Sequence, residues 1–178
     1  MASVLVFCGS ATGKNPVYAQ AAKALGTYLG EHGHHLITGG GSVGLMGVVA
    51  DAVLAAGGKA IGIIPQMLEN REVGHTQMTE LIVVSDMHTR KAMMYNKCDM
   101  AVVLPGGVGT LDECFEFLCW HRLRLHQKPL AIWNVEGIYD GLEQVLGIME
   151  DEGFTGKTRA MDCYIEKDLK GLVQALEL

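Results

Sequence analysis

Two short segments concentrate the residue types that handle anions, LPGGVGTLDECFEF around Glu113 and SDMHTRKAMM around Arg90. In the first, an apolar run ends at Pro105, Gly106 and Gly107 let backbone approach a ligand without Cβ atoms, and Gly109 precedes Thr110 at a helix start. Exposed N–H groups at such an end carry roughly half a positive charge from the helix dipole, so a phosphate fits there. A second reading uses the same residues: Thr110 and Glu113 have the S/T-x-x-E spacing of a capping box, which satisfies those donors with no ligand. Both readings stand on sequence alone. In the other segment, Asp86, His88, Arg90 and Lys91 gather at a helix start, where basic side chains oppose the dipole and call for an anionic partner. A surface pair between Arg90 and Asp86 is the plainer alternative. Both loops follow strands and both suit anions, which points to one shared phosphate-bearing ligand.

The remaining motifs are weaker. Gly39, Gly41 and Gly44 form a literal GxGxxG, but the motif follows the second strand. About 20 residues on, where a dinucleotide site needs an acid, the chain reads Lys59, Ala60, Ile61, Gly62. Backbone pressed against a ligand or a neighbouring helix explains these glycines better. GSATGK, Gly9 to Lys14, is one residue short of a P-loop and is followed by Asn15 instead of the Ser or Thr that magnesium needs. His32, His34 and His35 lack matching Cys or carboxylate spacing, so no metal is expected. Ser10 has no GxSxG elbow, and no cysteine stands in a nucleophile motif with a His, which leaves acyl transfer unsupported. Met87, Met93 and Met94 have helical spacing and read as core, with Met87 at a strand end able to touch a flat base.

The elements that must position these residues alternate in type. Short apolar runs at Val4–Cys8, His35–Thr38, Ala60–Ile64, Leu81–Ser85, Met100–Leu104 and Leu130–Asn134 read as strands. Between them, Asn15–His32, Gly44–Ala56, Met87–Lys97, Thr110–Arg124 and Gly137–Glu152 carry apolar residues at helical spacing. Repeated βα units with right-handed crossovers predict an α/β, Rossmann-like, doubly wound parallel sheet with ligands at the carboxyl edge of the strands. The polar connection Gln66–Glu80 exceeds the usual ~2 to 6 residues and is a candidate lid.

Composition sets the remaining bounds. At 178 residues the chain is expected to be a single domain, 1–178, burying roughly 70% of its unfolded surface. Basic and acidic residues number 14 and 20, so the net charge is 14 − 20 = −6 with no basic run, which argues against nucleic acid as partner. The five cysteines are odd in number and lie mostly in apolar runs, reading as reduced core thiols of a cytoplasmic protein. MASVLVFCGS has no basic n-region and reads as a strand, not a signal peptide. No apolar stretch reaches the ~18 residues that span a bilayer, so no membrane partner is expected.

The segments FCGSATGKNPVY, GGGSVGLMG, MHTRK, PGGVGTLDE, HQKP and NVEGIYD together resemble the LONELY GUY (LOG) family of cytokinin riboside 5′-monophosphate phosphoribohydrolases, from about Val4 to Phe154. The resemblance implies a homodimer that cleaves the N-glycosidic bond of a nucleoside 5′-monophosphate without metal or cofactor. It implies Arg90 and Glu113 as the essential pair and Gly106, Gly107, Gly109 and Thr110 as the phosphate loop. Lys91 stands beside the essential Arg, and Glu72 matches a substrate-contacting acid in the mobile loop. Gly9, Ser10, Gly41 and Met87 complete the expected substrate-binding set. Some relatives carry a lysine decarboxylase label, which no feature here supports. Two other functions fit the same loops: a broad AMP or GMP nucleosidase, and a binding protein like the molybdenum cofactor carriers. Where relatives commonly read TWxQLGxHxKP this chain has CWHRLRLHQKP, with Cys119 for Thr, Arg122 for Gln and Arg124 for Gly.

Overall fold

A computed structural model describes residues 1–68, 74–157 and 162–178. Its strands are β1 (Ser3–Phe7), β2 (His35–Thr38), β3 (Lys59–Pro65), β4 (Glu80–Val84), β5 (Met100–Val103), β6 (Leu130–Trp133) and β7 (Cys163–Glu166). They form one sheet in the order β4-β3-β2-β1-β5-β6-β7, with every pairing parallel. Among the described residues the helices are α1 (Val17–Glu31), α2 (Gly44–Ala55), α3 (Met87–Lys97), α4 (Val108–Arg122), α5 (Asp140–Asp151) and α6 (Leu169–Leu176). None of them is long and apolar enough to cross a membrane.

Alternation along the strands explains the layering. Val4 and Val6 of β1 join a core with Leu25 and Leu29 of α1, Val49 and Val53 of α2 and Leu172 of α6. Leu5 and Phe7 point the other way, into a core with Met94 and Tyr95 of α3 and Phe117 of α4. A period of two on strands buried on both faces makes each apolar run continuous, as in other parallel sheets. The chain therefore winds outward from β1 to β4 and then restarts beside β1 at β5. Strand order reverses between β1 and β5, and in open α/β sheets that crevice receives the ligand.

Six strands and five helices lie within two residues of their sequence-based bounds, except at the fifth helix. There a 3-10 turn at Val135–Gly137 intervenes and α5 starts only at Asp140, because Glu136 turns left-handed at φ 53°. β7 and α6 were not anticipated. Each is short, and β7 is an edge strand with a single fully buried residue, so its apolar pattern is too brief to register.

Helix α4 ends in a pair of reversed bonds, Arg124 N–H to the His121 carbonyl and Leu125 N–H to that of Trp120, both 2.9 Å. This closure needs a left-handed residue at its turn, and Arg124 supplies it at φ 60°. An L side chain there is strained by roughly 1 kcal/mol, which glycine avoids. Arg124→Gly should therefore raise stability by no more than about 0.5 kcal/mol once the extra flexibility of the unfolded chain is subtracted. Denaturant titration checks this, and a lower midpoint would show that Arg124 makes compensating contacts.

Candidate active site

The crevice is stitched together by backbone. The Leu104 N–H donates to the Phe7 carbonyl at 2.9 Å, and the Gly9 N–H donates to the Pro105 carbonyl at 3.0 Å, so the loops after β1 and β5 hold each other. Gly107 is the N-cap of α4 in an extended conformation, and no side chain caps this end. Thr110 therefore lies inside the first turn, and the capping box read from its spacing with Glu113 is not formed. Its hydroxyl packs instead over Gly106, where a Cβ would collide with it. Cβ positions at Gly107 and Gly109 meet nothing within 4 Å, so that side of the helix end is open. The first turn holds no acidic residue to neutralise the dipole.

Arg90 is placed by α3. Asp86 caps that helix, accepting from the Thr89 N–H at 2.9 Å and from the Ser85 hydroxyl at 2.5 Å. These bonds, the Ser85 hydroxyl first and Thr89 after it, hold the Asp86 carboxyl well below its usual pKa. Asp86 is thus the cap, and Arg90 turns inward from it. Only 6% exposed, Arg90 donates from Nε to the Ile63 carbonyl at 3.1 Å and from Nη2 to the Gly39 carbonyl at 3.4 Å. Its Nη1 lies 3.5 Å from Glu113 Oε1, and the Glu113 side chain is 13% exposed. Two strand-end carbonyls and one carboxylate compensate the hydration that this buried guanidinium loses. Gly39 is indispensable to this arrangement, since a Cβ there would fall on the guanidinium.

Arg90 and Glu113 form part of the wall of a cavity of about 340 Å³. Gly9, Ser10, Met87, Gly107, Gly109 and Thr110 also line it, so eight of the expected site residues come together. Gly106 lines an adjoining recess of about 300 Å³ that shares Gly9, Ser10 and Gly107 with the first. Cys8 borders the larger cavity, but burial and then the charge of Glu113 push its thiol pKa up, so it remains protonated.

Two expected residues are placed differently. The Lys91 ammonium lies 2.7 Å from Asp112 and 3.2 Å from Glu116, bracing α3 against α4, and Lys91 does not line the cavity. Gly41 is buried in an antiparallel bridge with Gly74, while the His75 N–H donates to the Gly40 carbonyl at 2.9 Å. Of the GxGxxG glycines, Gly41 and Gly44 thus meet neighbouring backbone, while Gly39 makes room for the Arg90 guanidinium. Glu72 lies outside the described residues. Of the long connection expected as a lid, Leu68 lines the cavity, and His75 anchors the far end through a 2.9 Å bond to Asp51. Sequence reasoning missed Gly39, Met46, Leu68 and Asp112. Gly39 was visible only as a member of the GxGxxG, Met46 and Asp112 only as positions within GGGSVGLMG and PGGVGTLDE, and Leu68 carries no motif.

Fold and site define a doubly wound α/β protein whose crevice joins an open helix N-terminus to a buried Arg–Glu pair. A family profile described as possible lysine decarboxylase matches residues 46–176. Cytokinin riboside 5′-monophosphate phosphoribohydrolase LOG7 of Arabidopsis thaliana is 42% identical over 174 residues, covering 98% of this chain and 80% of the relative. Probable cytokinin riboside 5′-monophosphate phosphoribohydrolase LOGL5 of Oryza sativa subsp. japonica is 45% identical over 151 residues, 85% of this chain and 61% of the relative. The chain belongs to the LOG family. Among solved structures, the molybdenum cofactor carrier protein of Chlamydomonas reinhardtii superposes with a TM-score of 0.71 at 19% identity, covering 99% of this chain and 96% of that one. The molybdenum cofactor binding protein of Rippkaea orientalis gives 0.72 at 20% identity, covering 98% and 93%. These two share the fold.

Proposed function

We propose that this chain hydrolyses the N-glycosidic bond of a nucleoside 5′-monophosphate, with a cytokinin-type or plain purine base, to free base and ribose 5-phosphate. The observation that carries the reading is the Arg90–Glu113 pair, 3.5 Å apart, in the wall of the cavity onto which the uncapped start of α4 opens. The phosphate binds the N–H groups of Val108, Gly109 and Thr110, and this remote grip orients the ribose. As the glycosidic bond breaks, positive charge builds on the sugar. The Glu113 carboxylate stabilises that charge and orients or deprotonates the attacking water, while Arg90 holds Glu113 in position or reaches the phosphate. Met87 faces the base.

The names of the relatives support this reaction. The decarboxylase description of the family profile gains no support from the site, because the cavity lining among the described residues offers no lysine amine for a Schiff base. The chain acts as a homodimer in the cytoplasm. Leu123 and Leu125, exposed beyond the end of α4, supply apolar surface for the second copy, and light scattering should report twice the chain mass.

The decisive experiment incubates the protein with cytokinin-type mononucleotide, AMP and GMP and resolves free bases by chromatography. Release from the cytokinin-type substrate well above AMP is the expected outcome for a specific enzyme, and comparable release marks a broad nucleosidase. Nucleotide binding with no base released from any substrate would replace the enzyme with a carrier-like binding protein.

A further inference from the structure

The turn between β6 and α5, NVEGIYD, takes no part in the chemistry proposed above, yet it reaches the anion loop from below. Glu136 and Gly137 both turn left-handed, at φ 53° and 72°, and fold Tyr139 back under the sheet edge. Tyr139 is 4% exposed, and its hydroxyl donates to the Leu104 carbonyl at 2.8 Å. The phenol thus holds the peptide that leads into Pro105, a residue with no N–H of its own. Pro105 is held only through its carbonyl, by the Gly9 N–H at 3.0 Å.

Tyr139 is itself fixed. Its N–H donates to Asn134 Oδ1 at 2.7 Å, and Asn134 Nδ2 donates to Asp140 at 2.7 Å. The Asn134 N–H donates to the Glu166 carbonyl at 2.8 Å. A continuous run of hydrogen bonds therefore passes from β7 through the end of β6 to the first residues of the anion loop. A core tyrosine needs one partner for its hydroxyl, and that need alone does not explain why the partner is the peptide that aims the α4 donors.

We propose that Tyr139 is a positioning residue: its hydroxyl fixes the Leu104–Pro105 peptide and so aims the N–H groups at the start of α4 at the substrate phosphate. The inference rests on the phosphate reading of that loop. It assigns Tyr139 to binding and leaves the bond-breaking step to Arg90 and Glu113.

Tyr139→Phe keeps the buried ring and removes the hydroxyl. Binding of ribose 5-phosphate, followed by calorimetry, should weaken roughly tenfold, the scale of one lost hydrogen bond, and KM should rise alike. The turnover number should stay within about threefold, because Arg90 is anchored by the Ile63 and Gly39 carbonyls and by Glu113 on α4, contacts that Tyr139→Phe leaves in place. Asn134→Ala, which leaves the hydroxyl but loosens its support, should move binding the same way by less. A fall in melting temperature with unchanged ribose 5-phosphate binding and KM in both variants would make Tyr139 a core residue only and overturn the proposal. So would loss of turnover at unchanged KM. If the unmodified protein binds ribose 5-phosphate but releases no base, the hydrolase reading fails while the binding comparison still decides the role of Tyr139. If it binds no ribose 5-phosphate, the phosphate loop and this inference fall together.

Discussion

Glu113→Gln should lower the turnover number by about 10³-fold or more, with nucleotide affinity changed only a few-fold. Glutamine has the shape of glutamate and keeps an oxygen for the Arg90 guanidinium, so the wall of the cavity is preserved. What disappears is the negative charge beside the developing sugar cation and the basicity available to the attacking water. Losing one such electrostatic contact costs roughly 10²–10³ in turnover, and loss of general-base assistance is of similar size. The proposed phosphate grip lies one helical turn away, at Val108 to Thr110 of α4, and would be untouched. Single-turnover base release together with nucleotide titration separates the two effects. Full activity with a stability loss of about 1 kcal/mol would reduce Glu113 to a structural partner of Arg90.

Arg90→Ala should act on every step. It removes the cation 3.5 Å from Glu113 and strands the Ile63 and Gly39 carbonyls in a buried pocket. Unpaired buried groups cost about 1–3 kcal/mol each, so the melting temperature falls as well. The specificity constant should drop about 10³-fold, with both KM and turnover affected. Arg90→Lys supplies the control. Lysine restores the charge but lacks the planar fork that reaches two carbonyls and a carboxylate at once, so it should recover stability better than activity. Kinetics unchanged by Arg90→Ala would remove Arg90 from the mechanism.

How far the sequence predicted these results depended on the range of each interaction. β1 and β5 were legible because burial on both faces makes an unbroken apolar run, bounded by Gly9 and Pro105. The anion loop was legible because glycines between a strand end and a helix start follow local rules, whereas the pairing of Arg90 with Glu113, on two different helices, came only through the family resemblance. The start of α4 was misplaced by two residues, since Thr110 has a capping residue's side chain while the extended Gly107 does the capping by backbone alone. Lys91 went astray for another reason. Its ammonium is claimed by Asp112 and Glu116, more than 20 positions away, and no spacing rule on α3 announces partners on α4. Gly39 shows the same limit, because its lack of a side chain matters only to an arginine 51 positions later.

Arg90 is tied at once to the ends of β2 and β3 and to Glu113 on α4, which follows β5. Its contacts therefore straddle the β1–β5 seam, and neither wing of the sheet holds the whole set. The pair cannot exist in a partly folded chain that has closed only one wing. If Arg90 and Glu113 act as proposed, activity requires both wings to be joined at that seam, so loss of base release would report its opening.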